Sequence, residues 1–245
     1  MRRLLNDVMH TLAPPKEDRH GPLPPLLLML TVVTGLVDAV SYLALERVFV
    51  ANMTGNMVFL GFGLVGAAKL SVLAPVVALV AFLLGAFAGG RLGTRFATHR
   101  GNLLKTATGV QSVLVAVTVV VAAVTDGLVT TGVRYTLIVF LGLAMGLQNA
   151  VVRRLGVPDM TTTVLTLTLT GLAADSTAAG GAAPGLGRRI LSVLAMCCGA
   201  FVGAQLVLNG HLVLTLGLCL LLLAITAITI HRLSAADPAW TRSAS

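Results

Sequence analysis

The sequence predicts an all-α protein that crosses a membrane several times, and two observations support this prediction. Hydrophobic residues make up 56% of the 245-residue chain and charged residues only 11%, whereas a soluble globular domain carries about 25% charged residues. The apolar residues also form runs of roughly 20, the length that a helix needs to cross a bilayer. Backbone groups in lipid must be hydrogen-bonded within their own element, so these runs are expected to be helical.

Six of the apolar runs are long enough to span a bilayer, and they lie at 23–44, 71–90, 106–125, 135–152, 190–208 and 212–230. Two shorter apolar stretches, 53–68 and 160–174, lie at matching places in the two halves of the chain. We therefore expect an N-terminal tail at 1–22, a first membrane repeat at 23–125, a second membrane repeat at 134–230 and a C-terminal tail at 231–245. The N-terminal tail lacks an apolar core followed by a small-residue cleavage site, so we do not expect a cleaved signal peptide.

Three short motifs occur twice in the same order, which predicts two copies of one unit. The sequence GLVDAV at 35–40 returns as GLQNAV at 146–151, NMTGN at 52–56 returns as DMTTT at 159–163, and GAFAG at 85–89 returns as GAFVG at 199–203. The three offsets in residue number are 111, 107 and 114. Two copies of an apolar unit are typical of a transporter or channel, whose site lies between the copies.

The lysines and arginines favour one of two topologies. If all eight apolar stretches crossed, with the N-terminus inside, ten of these residues would lie inside and seven outside. If the two short stretches instead entered and left on one side, 14 would lie inside, with only Arg47, Lys69 and Arg134 outside. The second division fits the positive-inside rule better. We therefore expect six spanning helices, two re-entrant elements and cytoplasmic termini.

The number of crossings also sets the relation between the two repeats. Three crossings in each half would leave the second repeat upside down relative to the first, with the site near the middle of the bilayer. The alternative of eight crossings would make the repeats parallel.

Asp38 is the candidate coupling residue, because it is an acid inside the first predicted span. A carboxylate there costs about 2.5–3.5 kcal/mol on insertion scales, so it needs a partner or a water-filled cavity. One interpretation is a proton or cation coupling site. The other is a hydrogen bond between helices, since the repeat counterpart of Asp38 is the neutral Asn149.

Asn52 and Asp159 are the expected N-caps of the two short elements, because Asn or Asp oxygens accept hydrogen bonds from free backbone N–H groups. The chain before each cap could descend into the membrane and return as a half-helix. The two helix starts would then offer a polar, anion-tolerant site, whereas capping at the membrane surface would leave no pathway. The residues expected to line this pathway are Asn52, Thr54, Gly55, Asn56, Gln148, Asn149, Thr161, Thr162, Thr163, Thr166 and Thr170.

The threonines of the second short element predict a hydroxyl-lined surface. Thr162, Thr166 and Thr170 would share one helix face, because residues four apart in a helix lie above one another. Threonine can also satisfy its hydroxyl on the carbonyls of its own helix.

Pairs of glycines four residues apart predict close helix packing, because small faces let helices approach in lipid. These pairs are Gly85 with Gly89, Gly142 with Gly146, and Gly199 with Gly203. The faces could pack on each other, on the central elements or in a homodimer.

Composition and motifs argue against several other classes of protein. The net charge of +8 reflects basic residues at span ends without interleaved aromatics, so nucleic acid is not an expected partner. The three cysteines lie in predicted spans and have no metal-ligand spacing. No zinc-protease, serine-hydrolase or phosphate-loop motif occurs. We therefore expect no enzyme activity, metal or cofactor.

The residues GLVDAVSY at 35–42, followed by NMTGN at 52–56, resemble the YoaK family of bacterial inner-membrane proteins. The likeness extends to GLQNA at 146–150 and to the Thr-Gly at 170–171. The members of this family are similar in size to this chain and are expected to have about six spans. Since they are inner-membrane proteins, the resemblance implies the bacterial plasma membrane. The family carries a permease label, and it offers no established binding residue that could be assigned to a position of this sequence. The second copy of the NMTGN motif, DMTTT at 159–163, lacks the glycine at its fourth position, so the two halves are not chemically equivalent.

Together these patterns favour a secondary transporter that moves a small solute by alternating access, with Asp38 as the coupling group. A passive channel of similar outline is the alternative, as is a non-transporting scaffold or membrane enzyme.

Overall fold

The computed structural model describes residues 2–15, 18–67, 71–182, 185–235 and 239–242, and the secondary structure in these ranges is helical, without strands. Lys16 and Lys69, which the predicted topology counts, lie outside them. The nine α-helices in these ranges are α1 Arg2–Leu12, α2 Leu23–Ala44, α3 Met53–Leu64, α4 Leu73–Arg95, α5 Arg100–Val124, α6 Thr131–Leu155, α7 Leu165–Ala174, α8 Leu186–Leu208 and α9 Leu212–Ser234.

Six of these helices are long and apolar enough to cross a membrane, which confirms the predicted number of candidate spans. They are α2, α4, α5, α6, α8 and α9. Helix α9 continues to Ser234 and therefore passes the boundary predicted at 230. Helices α3 and α7 have only 12 and 10 residues, too few to cross a hydrocarbon layer of about 30 Å.

Contacts at both ends show that α2 and α6 run in opposite directions. Glu46, just beyond the end of α2, forms an ion pair with Arg134 in the first turn of α6. At the other end, the Arg100 guanidinium lies 3.4 Å from Nδ1 of His20, just before α2. The same guanidinium donates to the carbonyl of Leu155, the last residue of α6. We call the end of the bundle near Arg100 the basic end and the other the opposite end.

Helix α4 packs closely along α6, and the two helices run parallel. A Cβ added to Gly85 would lie 2.1 Å from the carbonyl oxygen of Leu143, and one added to Gly89 would lie 2.8 Å from that of Leu147. The residue numbers rise together along the contact, so the helices point the same way. Glycine is required here because a side chain would collide with the neighbouring backbone.

Helix α8 packs on α2 in the same manner. A Cβ added to Gly199 would lie 2.1 Å from the carbonyl oxygen of Val32, and one added to Gly203 would lie 3.1 Å from that of Leu36. The glycine faces of α4 and α8 therefore each pack on the first long helix of the other half of the chain, and the third pair, Gly142 and Gly146 of α6, meets α4. The α4 and α8 faces do not pack on each other, although the sequence allowed that arrangement.

Both short helices begin inside the bundle. Since α4 is parallel to α6 and α2 is antiparallel to it, the end of α2 and the start of α4 share the opposite end. The segment 45–52, which we call the first re-entrant segment, runs back along α2 to the level of Asp38 before α3 begins. The segment 156–164, which we call the second re-entrant segment, likewise runs back along α6 to Asn149. Helix α7, which completes the second re-entrant element, returns to the start of α8, where Asp175 contacts Arg189.

The described terminal segments both lie at the basic end. The backbone N–H of Gly187, in the first turn of α8, donates to the Asp7 carboxylate of α1 at 2.6 Å. Near the C-terminus, the Trp240 ring lies directly against Gly21. These contacts place α1 and the segment 239–242 beside the start of α2 and α8.

Candidate functional site

The buried carboxylate of Asp38 holds the segment that precedes α3. Its Oδ1 accepts hydrogen bonds from the backbone N–H groups of Val50 at 3.3 Å and Ala51 at 3.0 Å, and its Oδ2 accepts one from the Asn52 side chain. Asn52 does precede α3 as predicted, but its side chain makes no cap hydrogen bond. The Asp38 carboxylate therefore anchors the first re-entrant segment.

The other polar residues of the first motif do not converge on a pathway. Asn56 is fully buried, and its amide accepts from the backbone N–H of Phe49 at 2.8 Å and donates to the carbonyl of that residue. Gly55 packs against the Phe49 ring, and Thr54 is exposed on α3. Asn56 and Gly55 thus contact the segment ahead of α3 and hold it through Phe49.

Three aromatic rings pack together here, and one of them, Phe49, belongs to the segment ahead of α3. The rings of Tyr42 and Phe49 stack with centroids 5.0 Å apart, and that of Phe59 lies 6.1 Å from Phe49. The Tyr42 ring reaches both others. The cluster covers the first re-entrant segment on the side of α3.

The second half repeats the Asp38 contact with a neutral pair. The Thr163 hydroxyl donates to Oδ1 of Asn149 at 2.5 Å, and these residues are 14 positions apart, as Asn52 is from Asp38. Thr163 is therefore the structural counterpart of Asn52, at the same offset that relates Asn149 to Asp38. The alignment of the second motif at an offset of 107 was wrong by four positions.

Asp159 does not cap α7, so the predicted second N-cap is wrong. Helix α7 begins at Leu165, and its N-cap position is Val164, which makes no side-chain cap hydrogen bond. The Asp159 carboxylate instead accepts from Nε of Arg189 at 2.9 Å, and Asp175 accepts from Nη1 of the same residue at 2.7 Å. Arg189 therefore fastens both ends of the second re-entrant element to α8.

The predicted hydroxyl face of the second short element does not form. Thr162 lies ahead of the helix with φ of +61°, and Thr166 and Thr170 are exposed on α7. The buried hydroxyl of this helix belongs to Thr168, which lies within 3.5 Å of the Val164 carbonyl. The face was mispredicted because α7 starts later in the chain than the sequence pattern indicated.

A buried polar network joins the two halves near the centre of the bundle. Nε2 of Gln111 donates to Oε1 of Gln148 at 2.7 Å, and Nε2 of Gln148 donates to the hydroxyls of Thr34 at 3.0 Å and Thr162 at 3.2 Å. All four residues are at most 3% exposed. The network connects α2, α5, α6 and the second re-entrant segment.

A cavity of about 630 Å³ lies between α4, the end of α6 and the second re-entrant segment. Of the predicted pathway residues, Asn149, Thr161 and Thr163 line it. The full lining is Phe82, Ala86, Gly90, Asn149, Ala150, Val152, Arg153, Gly156, Val157, Met160, Thr161, Thr163 and Val164. This apolar lining with a few polar groups is typical of a small-molecule site.

Arg153 is the functional candidate that the sequence interpretation missed, since it counted this residue only among the 14 basic residues expected inside. It is four positions after Asn149 on α6, so both side chains lie on one helix face. The four-residue spacing from Asn149 could have identified Arg153 from the sequence. The cavity lies near the basic end, because α6 ends there.

No group of three or more His, Cys, Asp or Glu residues that could hold a metal ion occurs within the described ranges. Cys197 and Cys198 are exposed on α8, and Cys219 is buried in α9.

The chain matches a family described as "Protein of unknown function (DUF1275)" over residues 26–229, and it belongs to that family. It is 31% identical to the UPF0700 transmembrane protein YoaK of Bacillus subtilis (strain 168) over 151 residues. That alignment covers 61% of this chain and 65% of the relative. The match agrees with the resemblance read from the motifs. No solved structure matches the chain.

Proposed function

We propose that this member of the DUF1275 family is a secondary transporter that carries a small solute across the bacterial plasma membrane by alternating access. The cavity beside Asn149 is the observation that carries this proposal, because it reaches a re-entrant segment from one side of the bundle. The corresponding position in the first half is occupied by the bonds of Asp38 and by the stacked Tyr42 and Phe49 rings. A site that is accessible in one half and filled in the other is what a carrier requires, and it favours a carrier over a channel.

The two halves would be inverted repeats related by an axis in the membrane plane. The antiparallel course of α2 and α6 supports this relation. The glycine contacts support it too, since Gly85 meets Leu143 and Gly199 meets Val32, and both partners shift between the halves by the offsets of 114 and 111 found in the sequence. If the first half opened as the second half is now and the second half filled as the first is now, the cavity would open to the other side of the membrane.

The basic end would face the cytoplasm under the positive-inside rule. Among the residues described, this end carries Arg91, Arg95, Arg153, Arg154, Arg188 and Arg189, whereas Arg47 and Arg134 lie at the opposite end. The cavity in this conformation would then be open to the cytoplasm, and both termini would be cytoplasmic.

Asp38 would couple solute movement to a proton or cation. Its carboxylate holds the backbone of Val50 and Ala51, so neutralising it would weaken the acceptor and release the first re-entrant segment. That release would allow a cavity to open in the first half.

The test measures cysteine accessibility in a variant that lacks the three native cysteines. Thr161→Cys reports on the cavity from the basic end, and Val50→Cys reports on the filled counterpart from the opposite end. An impermeant maleimide should label Thr161→Cys from the basic side. Asp38→Asn should lower that labelling and raise labelling of Val50→Cys from the other side. Asp126→Asn, in an exposed loop, is the matched control.

Two outcomes would contradict the proposal. Labelling of both sites in the same molecules from opposite sides would indicate a channel. An Asp38→Asn protein that is folded but labelled like the parent would exclude Asp38 as the coupling group. Reconstituted Asp38→Asn protein is also expected to lose solute accumulation while retaining exchange.

A further inference from the structure

We propose that the cavity binds a small solute that carries one carboxylate group on an apolar body. This inference rests on the proposed transport function and adds the chemical class of the substrate.

The first half of the chain shows how this architecture holds a carboxylate. Asp38 fills the place ahead of α3, where two backbone N–H groups and the Asn52 side chain donate to it. In the second half the same position on the long helix is Asn149, a neutral amide. The second half therefore retains the re-entrant architecture but has no carboxylate of its own at this position.

The corresponding backbone donors of the second half are without an acceptor in the described ranges, and one of them belongs to a residue that lines the cavity. Val50 and Ala51 correspond to Thr161 and Thr162 at the offset that pairs Asp38 with Asn149, and no described group accepts a hydrogen bond from the backbone N–H of Thr161 or Thr162. Thr161 lines the cavity. Helix α7, which follows, starts without a side-chain cap, so its free N–H groups add positive potential there.

The charge of the lining also fits an anion. Arg153 is the charged residue of the lining, which contains no Asp or Glu. It takes part in none of the ion pairs found among the described residues. Asp159, the nearest acid in the re-entrant segment, is occupied by Arg189. A guanidinium with its donors free can bind a carboxylate through two parallel hydrogen bonds.

The rest of the lining fits an apolar body. Phe82, Ala86, Val152, Val157 and Met160 contribute hydrocarbon surface to the cavity. A single arginine balances one negative charge, and a second anionic group would have to leave water without a partner. The cavity therefore suits a monocarboxylate better than a dicarboxylate or phosphate.

The test uses benzoate and butyrate as probes, with benzamide and butyramide as neutral analogues of the same shape. Binding to the purified full chain in neutral detergent is measured by thermal stabilisation. We expect the carboxylates to bind at least tenfold more tightly than the amides, because a hydrogen bond to a charged group is worth about 1.5–3 kcal/mol. Arg153→Gln should abolish this preference.

Two further variants sharpen the test. Arg154→Gln is the matched control, since that side chain packs beside Gly93 and does not line the cavity. Asn149→Asp places a tethered carboxylate in the second half and should compete with the probes. It is expected to reduce benzoate binding at least tenfold.

Three results would overturn the assignment. They are equal binding of acids and amides, binding of neither, and stabilisation by phosphatidylglycerol alone, which would assign the cavity to a lipid headgroup. The cysteine accessibility of Thr161 and Val50 is measured without a solute, so it decides the transport mechanism separately. Alternating labelling without carboxylate binding would reject the substrate class and retain the proposed transporter.

Discussion

Thr163 donates its hydroxyl to the side-chain oxygen of Asn149, and this contact repeats, in the second half of the chain, the contact of Asn52 with Asp38. In both halves a residue just ahead of a short helix reaches back to a residue deep in the preceding long helix. Both contacts join residues that are 14 positions apart in the chain, but their chemistry differs. The first half uses a carboxylate with three donors, and the second uses a neutral amide beside a cavity.

The glycine contacts extend this correspondence to helix packing. Gly35 lies against Met196 and Ala200, as Gly146 lies against Phe82 and Ala86. Phe82 and Ala86 also line the cavity. Gly142 and Gly146 of α6 thus set how closely α4 approaches, and the contact of Gly146 lies at the edge of the cavity.

Gly85→Ala is expected to destabilise the protein by about 2 kcal/mol or more, because overpacking of a tight contact costs about 1–3 kcal/mol. The added Cβ would lie 2.1 Å from a backbone oxygen, and backbone cannot move as a side chain can. Gly199→Ala should cost a similar amount. Gly109→Ala, with nothing within 4 Å of the added Cβ, is the control. Thermal unfolding in detergent measures the difference, and equal melting temperatures for Gly85→Ala and Gly109→Ala would contradict the packing.

Gln148→Leu is expected to cost about 2 kcal/mol, since it removes the hydrogen bonds that the buried side chains of Gln111 and Thr162 make to Gln148, at about 1–3 kcal/mol for an unsatisfied group. The Thr34 hydroxyl keeps its bond to the Leu30 carbonyl. The double variant with Gln111→Leu should cost less than the sum of the two single variants. A double-mutant cycle in mixed micelles measures this coupling. Gln205→Leu, on the exposed side of α8, controls for the substitution itself. Strict additivity would show that the network contributes no coupling.

Arg189→Gln is expected to increase the labelling rate of Thr163→Cys by about fivefold, because partly exposed ion pairs contribute up to about 1 kcal/mol. Loss of the bonds to Asp159 and Asp175 would free both ends of the second re-entrant element and favour local opening. Arg188→Gln is the matched control, as its guanidinium forms none of the ion pairs found within the described ranges and lies 3.4 Å from the Pro158 carbonyl. Identical labelling rates in the two variants would show that Arg189 does not restrain this element.

His20 is expected to make the protein less stable in mild acid. Burial and the nearby Arg100 and Arg188 lower the pKa of His20, while Asp18 opposes this effect. Just below the usual histidine pKa of about 6.5, His20 therefore binds more protons in the unfolded chain than in the folded one. The free energy of unfolding consequently falls as the pH falls through this value. His20→Asn should reduce the decline in melting temperature between pH 7.5 and 5.5. An unchanged decline would exclude His20 as its source.

Sidedness can be measured with Leu128→Cys and Ala178→Cys in the cysteine-free background. Leu128 lies in the loop between α5 and α6 at the opposite end, and Ala178 lies between α7 and α8 at the basic end; both are exposed. An impermeant maleimide added to intact cells should label Leu128→Cys and spare Ala178→Cys until the membrane is opened. The reverse pattern would place the basic end outside.

The sequence predicted the candidate spans well because each depends on local composition. Runs of about 20 apolar residues need no knowledge of the partner helix. The start of α7 was missed because Gly156 ends α6 in a left-handed conformation, and Asp159 and Thr162 also adopt positive φ. Those angles depend on the contacts of Arg189 and Gln148, which lie elsewhere in the chain.

The candidate site was predicted only in part. Asn149, Thr161 and Thr163 were expected to lie together, and they do line one cavity. Asn56 was expected beside them but is buried against its own segment, because its amide bonds to the backbone of Phe49. Pattern and spacing identify polar residues in an apolar chain. They do not show whether such a residue faces a cavity or holds the backbone.

The sequence by itself determined a helical membrane protein with six candidate spans, two shorter elements and a repeated set of motifs, since apolar length and residue type are written locally. The tertiary structure decided which glycine meets which backbone, the four-position correction that pairs Thr163 with Asn52, and the difference between an anchored Asp38 and an Asn149 beside a cavity. These features depend on contacts between residues from 14 to more than 160 positions apart. Their energies are set by packing and by the pairing of buried polar groups, which no local pattern records.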